Sequence, residues 1–310
     1  MNHSIPWCVK DKTVQACRKR NPILNLSLSL ACGLLTATGF GTADFIAKLT
    51  TNKIGFLRTA LFMQVIGSFF VLPFALESTA LLVLHPWALL GGVLLGVINA
   101  FATLSLYKGF EVGRLSIVSP IASSCPVVSI LLAVLFLGES VTDERLLGIG
   151  LVIVGVILVS LQTSQESVSE KVNRGTMYAI IYMVLGGLLF FALKPVSNAL
   201  GVFLPVLIMR WVSIPVLTVT FLAWKTNPKG PTASAFWLVL SVALFDTFAN
   251  VMYVVGVSVG TVSIVSTVGG MFSAVTVLLA RIVLKERLSR HQILGFAAIA
   301  AGVCALGLFG

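Results

Sequence analysis

The chain has 310 residues, of which 57% are hydrophobic and only 10% charged, with a formal net charge of +10 and a mean hydropathy of +1.03. Soluble domains are about a quarter charged, so the composition excludes an ordinary soluble enzyme. The basic excess lies in the N-terminal tail and in short polar gaps, as it does where lysine and arginine flank membrane spans, and no basic patch interleaved with aromatics points to a nucleic-acid partner.

Residues 1–22 form a polar tail carrying Lys10, Lys12, Arg18, Lys19 and Arg20. The apolar run that follows is too long for a signal-peptide core and ends without a small-residue cleavage site, so the tail is expected to be retained. A bilayer core about 30 Å thick takes roughly 20 apolar residues per helix. On that measure ten spans are predicted, at 26–47, 56–76, 86–107, 114–137, 145–162, 175–194, 202–224, 235–256, 260–284 and 291–309. Runs such as Leu146 to Leu161 are continuous, whereas the strands of a transmembrane barrel alternate over about 10 residues. The expected fold class is therefore an all-α membrane protein.

Polar residues inside spans carry the functional argument, because a charge in hydrocarbon costs about 2.5–3.5 kcal/mol on insertion scales. Asp44 falls near the end of span one, one turn before Lys48; at i, i+4 the two could pair at the interface, or Asp44 could face a cavity. Gln64 and Arg210 sit at similar levels of spans two and seven. Arg210 could clamp a substrate carboxylate or neutralise Asp246. Asn99 in span three corresponds to Asp246 in span eight, with Asn250 one turn further on the same face. A carboxyl in low dielectric favours its neutral form, which makes Asp246 a candidate carrier of a coupling proton.

Spans four and nine carry stripes of small and polar residues: Ser116, Ser119 and Ser123 in the first, and Ser263, Ser266 and Thr267 in the second. Such stripes let helices pack closely in lipid, and they are also candidates to line a cavity. Pro120 and Pro126 remove backbone donors in span four, which points the span toward the protein interior, and a kink is expected at Pro120. Span nine has no proline matching Pro120, so the kink need not recur there. Glu139 and Glu286 follow spans four and nine and are expected to cap the helix that comes next or to bond loop amides. Arg281 lies near a span end, where it would snorkel.

The second half repeats the first. At an offset of 147 positions, Phe101-Ala102 falls on Phe248-Ala249, Gly109 on Gly256, Gly113 on Gly260, and residues 116–119 on 263–266 as the identical string SIVS. Glu139 falls on Glu286, Leu147-Gly148 on Leu294-Gly295, and Gly155-Val156 on Gly302-Val303. Nearer the start, an offset of 146 places Gly41, Phe45, Lys48, Asn52 and Gly55 on Gly187, Phe191, Lys194, Asn198 and Gly201. The divisions predicted are a tail at 1–22, a first five-span repeat at 23–163, a polar linker at 164–174 and a second repeat at 175–310. A five-span unit ends on the opposite side of the membrane from its start, so the second copy is expected upside down, the geometry of alternating access.

The stretch from Tyr107 to Pro120, YKGFEVGRLSIVSP, followed by LAVLFLGE ending at Glu139, then Leu147-Gly148 and Gly155, resembles the first repeat of the EamA family of the drug/metabolite transporter superfamily. Val255-Gly256, the LKE ending at Glu286, Gly295 and Gly302 resemble the second. The likeness covers about residues 26–309. It implies ten helices as two inverted repeats around a central cavity, and export of metabolites, amino acids or drugs. It also implies a multi-pass cell-membrane protein with both termini in the cytoplasm. The basic tail agrees, but most other Lys and Arg residues fall in loops that would then face outward, against the positive-inside trend.

Neither a phosphate-binding glycine loop nor a catalytic motif is present, and Cys8, Cys17, Cys32, Cys125 and Cys304 lack metal-binding spacing. No cofactor or metal is expected. The expected function is secondary transport of a small solute with a proton as coupling ion; a channel or passive facilitator of the same fold is the alternative, and an intramembrane enzyme a third. The partners expected are a small-molecule substrate and the lipid bilayer. One chain holds both repeats, so a monomer would suffice and a dimer stays open.

Overall fold

The computed structural model describes residues 22–76, 86–113, 115–139, 142–160, 170–224, 233–284 and 290–309. These form twelve helices, with no strand among the described residues. The first half contributes α1 (Pro22–Ile54), α2 (Phe56–Leu76), α3 (Pro86–Val112), α4 (Leu115–Ala122), α5 (Cys125–Leu137) and α6 (Asp143–Ser160). The second contributes α7 (Glu170–Leu200), α8 (Phe203–Ala223), α9 (Ala233–Val259), α10 (Val262–Gly269), α11 (Phe272–Leu284) and α12 (Arg290–Phe309). Among the described residues, seven stretches are long and apolar enough to cross a bilayer: Asn25–Ile54, Phe56–Leu76, Pro86–Val112, Arg174–Leu200, Phe203–Ala223, Ala235–Val259 and Val262–Leu279. Helices satisfy every backbone group internally, which lipid demands. Outward-facing residues are large and apolar, among them Phe69, Leu90, Phe136, Val219, Leu222 and Trp237.

Several boundaries differ from the hydropathy reading. The helix α1 runs on to Ile54, so Asp44 is interior to it rather than near its end. The last residues of the expected linker, 170–174, are the first turn of α7. Apolar length marks the embedded part of a helix, and polar helix formers such as Glu170 and Lys171 extend it beyond that part. The rest of the linker, residues 164–169, and residues 1–21 of the tail lie outside the described residues.

Both spans expected at 114–137 and 260–284 are interrupted, and at corresponding points. Helices α4 and α5 meet at Ser123-Ser124, and α10 and α11 meet at Gly270-Met271. Ser124 and Met271 are 147 positions apart, the offset of the repeat. The break thus recurs in span nine without a proline. In the first half Pro126 opens α5; in the second, Gly270 takes the proline's role. A Cβ on Gly270 would lie 2.4 Å from Cγ of Pro126, so the two breaks press against each other and only glycine fits. Corners recur as well, since Gly55 joins α1 to α2 with φ 85° and Gly201 joins α7 to α8 with φ 76°, a left-handed conformation that glycine adopts freely.

The most extensive helix contacts run between halves. Helix α1 packs along α9, and reciprocally α7 packs along α3; α2 faces α8 and α6 faces α12. Glycines permit this close approach. A Cβ at Gly41 would meet Val275 at 2.5 Å and the Phe272 carbonyl at 2.6 Å. At the matching Gly187 it would meet Val128 at 2.5 Å and the Cys125 carbonyl at 2.8 Å. The two sequence halves are interlocked and not separate bundles.

Candidate functional site

The inner faces of these helices enclose a cavity of about 40 Å³, space for a few water molecules. Its polar lining is Asp44 of α1, Asn99 and Thr103 of α3, and Asp246 and Asn250 of α9. Aromatic walls come from Phe40, Tyr107, Tyr182, Phe190 and Phe272. Ten of the sixteen lining residues fall into repeat-related pairs: Phe40 with Gly186, Asp44 with Phe190, and Met63 with Met209 at the offset of 146, then Asn99 with Asp246 and Thr103 with Asn250 at 147.

Arg210 and Asp246 form an ion pair, Nη2 to Oδ2 at 2.6 Å, with the arginine side chain 1% exposed and the aspartate 18%. The other guanidinium nitrogen, Nη1, donates to Gln64 Oε1 at 2.8 Å and lies 3.2 Å from the Met63 sulfur. Asn250 donates through Nδ2 to Asp246 Oδ2 at 3.2 Å. Gln64 and Arg210, themselves repeat mates, thus touch directly. Asn99 takes a neutral partner, donating to Ser213 Oγ at 3.0 Å. The residue matching Ser213 is Gly67, where a Cβ would lie 2.6 Å from Arg210 Nη1. Gly67 makes the room that the guanidinium occupies.

Asp44 is 6% exposed and makes no pair with Lys48. Its Oδ2 is buried without a hydrogen-bond partner among the described residues. Lys48 instead donates to the carbonyls of Phe110 and Gly113 at the C-terminal end of α3, where a helix leaves acceptors free and favours a cation. The matching Lys194 donates to the Gly260 carbonyl at 3.0 Å in the same way and pairs with Glu139 at 2.8 Å.

Glu139 binds across the halves. Its carboxylate accepts from Val262 N at 2.8 Å, from Ser263 N at 3.1 Å and from Ser263 Oγ at 2.7 Å, satisfying free amides at the start of α10. Burial pushes its carboxyl up, but the Lys194 ammonium and these hydrogen bonds outweigh that and hold it below the ordinary value.

Among the described side chains, Ser119, Ser123, Ser263, Ser266 and Thr267 do not line the cavity. Ser123 bonds Ser273 Oγ at 2.9 Å, Ser266 bonds the Tyr253 hydroxyl at 2.8 Å, and Thr267 donates to the Ser263 carbonyl at 2.6 Å. Ser119 is fully buried, and Ser263 is taken up by Glu139. Small hydroxyl side chains that bond locally let α4, α5, α10 and α11 pack tightly, which removes them from open space. Glu286, and the side chains of Ser116, Pro120 and Arg281, lie outside the described residues. The aromatic walls, Gly67 and the two lysine caps were not singled out from sequence as parts of a site. The match of Lys48 to Lys194 was a signal for the caps, since matched charges within apolar spans need a shared structural reason.

A bundle of apolar helices closed around a polar cavity defines a multi-pass membrane protein. The model of the EamA-like transporter family matches the chain twice, over residues 27–161 and 173–308, and the chain belongs to that family. An uncharacterized protein of Methanocaldococcus jannaschii is 28% identical over 136 residues, which are 44% of this chain and 98% of that protein; that relative has the length of a single repeat. One solved crystal structure superposes with a TM-score of 0.75 over 91% of this chain and 97% of its own, at 15% identity. That likeness is one of fold alone.

Proposed function

We propose that the protein is a secondary transporter that exports a small solute across the cell membrane by alternating access, with a proton as coupling ion. In this reading the interrupted helices α4–α5 and α10–α11 each count as one span. The chain then has ten spans in two inverted repeats about a pseudo-twofold axis. The observation that carries it is the cavity itself, walled by repeat-related pairs. Residues related by a twofold axis can meet only near that axis, as Gln64 and Arg210 do. A site on such an axis faces two nearly equivalent helix packings, one for each side of the membrane. Interlocked halves joined by Glu139 and by glycine contacts give those packings discrete contacts to exchange, and packed interfaces switch between arrangements more readily than they deform. The cavity acid Asp44 is the seat for a coupling proton, since its Oδ2 has no partner among the described residues, while Asp246 is committed to its ion pair with Arg210. Both termini lie in the cytoplasm in this reading, which the family resemblance supports.

The test is transport by purified protein in sealed vesicles. A pH step is expected to drive solute against its own gradient. Flux that only ever follows the solute gradient would instead make the protein a facilitator or channel.

A further inference from the structure

We propose that the cavity takes an organic monocation, a protonated amine, anchored by Asp44; the inference rests on the transport reading of the same site. Four observations meet there. Asp44 lines the cavity, is nearly fully buried, and has an oxygen with no partner among the described residues. The second acid, Asp246, is already neutralised by Arg210 at 2.6 Å, and the guanidinium spends its other nitrogen on Gln64. Lys48, one turn along α1 from Asp44, is turned to the carbonyls at the end of α3. No lysine, arginine or histidine lines the cavity among the described residues. With Asp44 ionised, the lining and Arg210 together carry one uncompensated negative charge.

A buried carboxylate in that state is costly without a cation or hydrogen-bond donor. A ligand ammonium supplies both through a charge-assisted hydrogen bond. The walls agree, since Phe40, Tyr107, Tyr182, Phe190 and Phe272 line the same space, and cations are attracted to aromatic rings when both are desolvated. A ligand carboxylate would meet an uncompensated negative charge, and a neutral ligand could donate a hydrogen bond to Asp44 but would leave that charge uncompensated. The cavity of about 40 Å³ must widen to admit more than water, which alternating access provides.

The experiment uses three probes of one shape, 2-phenylethylammonium, 2-phenylethanol and 3-phenylpropionate, bound at neutral pH to the full chain in lipid nanodiscs. The ammonium is expected to bind at least about tenfold more tightly than either analogue, and Asp44→Asn to abolish that preference while gel filtration and helix content stay those of the wild type. Equal binding of the three, tighter binding of the carboxylate, no binding of any, or an unchanged preference in a folded Asp44→Asn protein overturns the proposal. The wild-type ranking decides the matter even if the variant does not fold. Counterflow in vesicles separates the two readings. Binding of the ammonium without counterflow removes the transport reading and leaves the site, whereas counterflow of 3-phenylpropionate alone keeps transport and removes the cation site.

Discussion

Replacing Asp246 by asparagine tests the architecture of the cavity most directly. It leaves Arg210, 1% exposed, without its ion pair, facing only the neutral groups of Gln64, Met63 and the new amide. Two unit charges 4 Å apart attract by about 4 kcal/mol at an effective dielectric of 20. Removing one partner of a buried pair costs about 3–5 kcal/mol. Against a net stability of about 5–15 kcal/mol for a folded domain, Asp246→Asn is expected to be severely destabilised. The pair Arg210→Met with Asp246→Leu removes both charges, and such replacements recover most of the loss. Reversible denaturant unfolding in mixed micelles, followed by helix content, measures all of these variants. A single variant within about 1 kcal/mol of wild type, or a double variant no more stable than Asp246→Asn, would refute the reasoning.

Glu139→Gln keeps an acceptor for the α10 amides but loses the charge that meets Lys194, at an expected cost of about 1.5–3 kcal/mol. The Glu139 carboxyl is held below its ordinary value of 4.5, so its contribution is fully present above that pH and is lost as pH falls through the lower folded value. Wild-type stability should therefore decline more steeply on acidification below about 4.5 than that of Glu139→Gln; parallel curves would exclude the role. Gly67→Ala places a Cβ 2.6 Å from Arg210 Nη1 and 2.7 Å from Thr247 Oγ1, an overpacking expected to cost about 1–3 kcal/mol. The part of that cost due to the guanidinium should vanish in an Arg210→Met background while the Thr247 contact remains, as a double-mutant cycle can show.

The repeat, the membrane setting and the family were legible in the sequence because each depends on residue type at a fixed spacing. Matched Glu, Lys, Asn and Gly residues at one offset do not arise from apolar composition alone. Asp246, Asn99, Asn250, Arg210 and Gln64 were found because charged and amide groups within apolar spans are rare enough to count. The roles of neighbouring residues were harder to read. Asp44 and Lys48 suit an i, i+4 pair by spacing, yet Lys48 reaches the carbonyls of α3, a partner more than 60 positions away. The serine stripes read equally as packing or lining, since small hydroxyl residues serve both. The break in span nine was missed because a glycine, unlike a proline, breaks a helix only where a neighbour presses on it.

Amino-acid order by itself determined that the chain crosses a membrane as helices, that it is one unit written twice, and which buried polar groups require partners. Hydropathy and recurrence are properties of the chain, independent of what lies beside each helix. Tertiary structure alone decided that α1 lies along α9 and α7 along α3, that Asp246 is neutralised by Arg210, and that Asp44 is left unpaired beside aromatic walls. Those outcomes depend on which faces of interlocked helices meet, and a Coulomb or hydrogen-bond energy is fixed by distances that sequence separation does not encode.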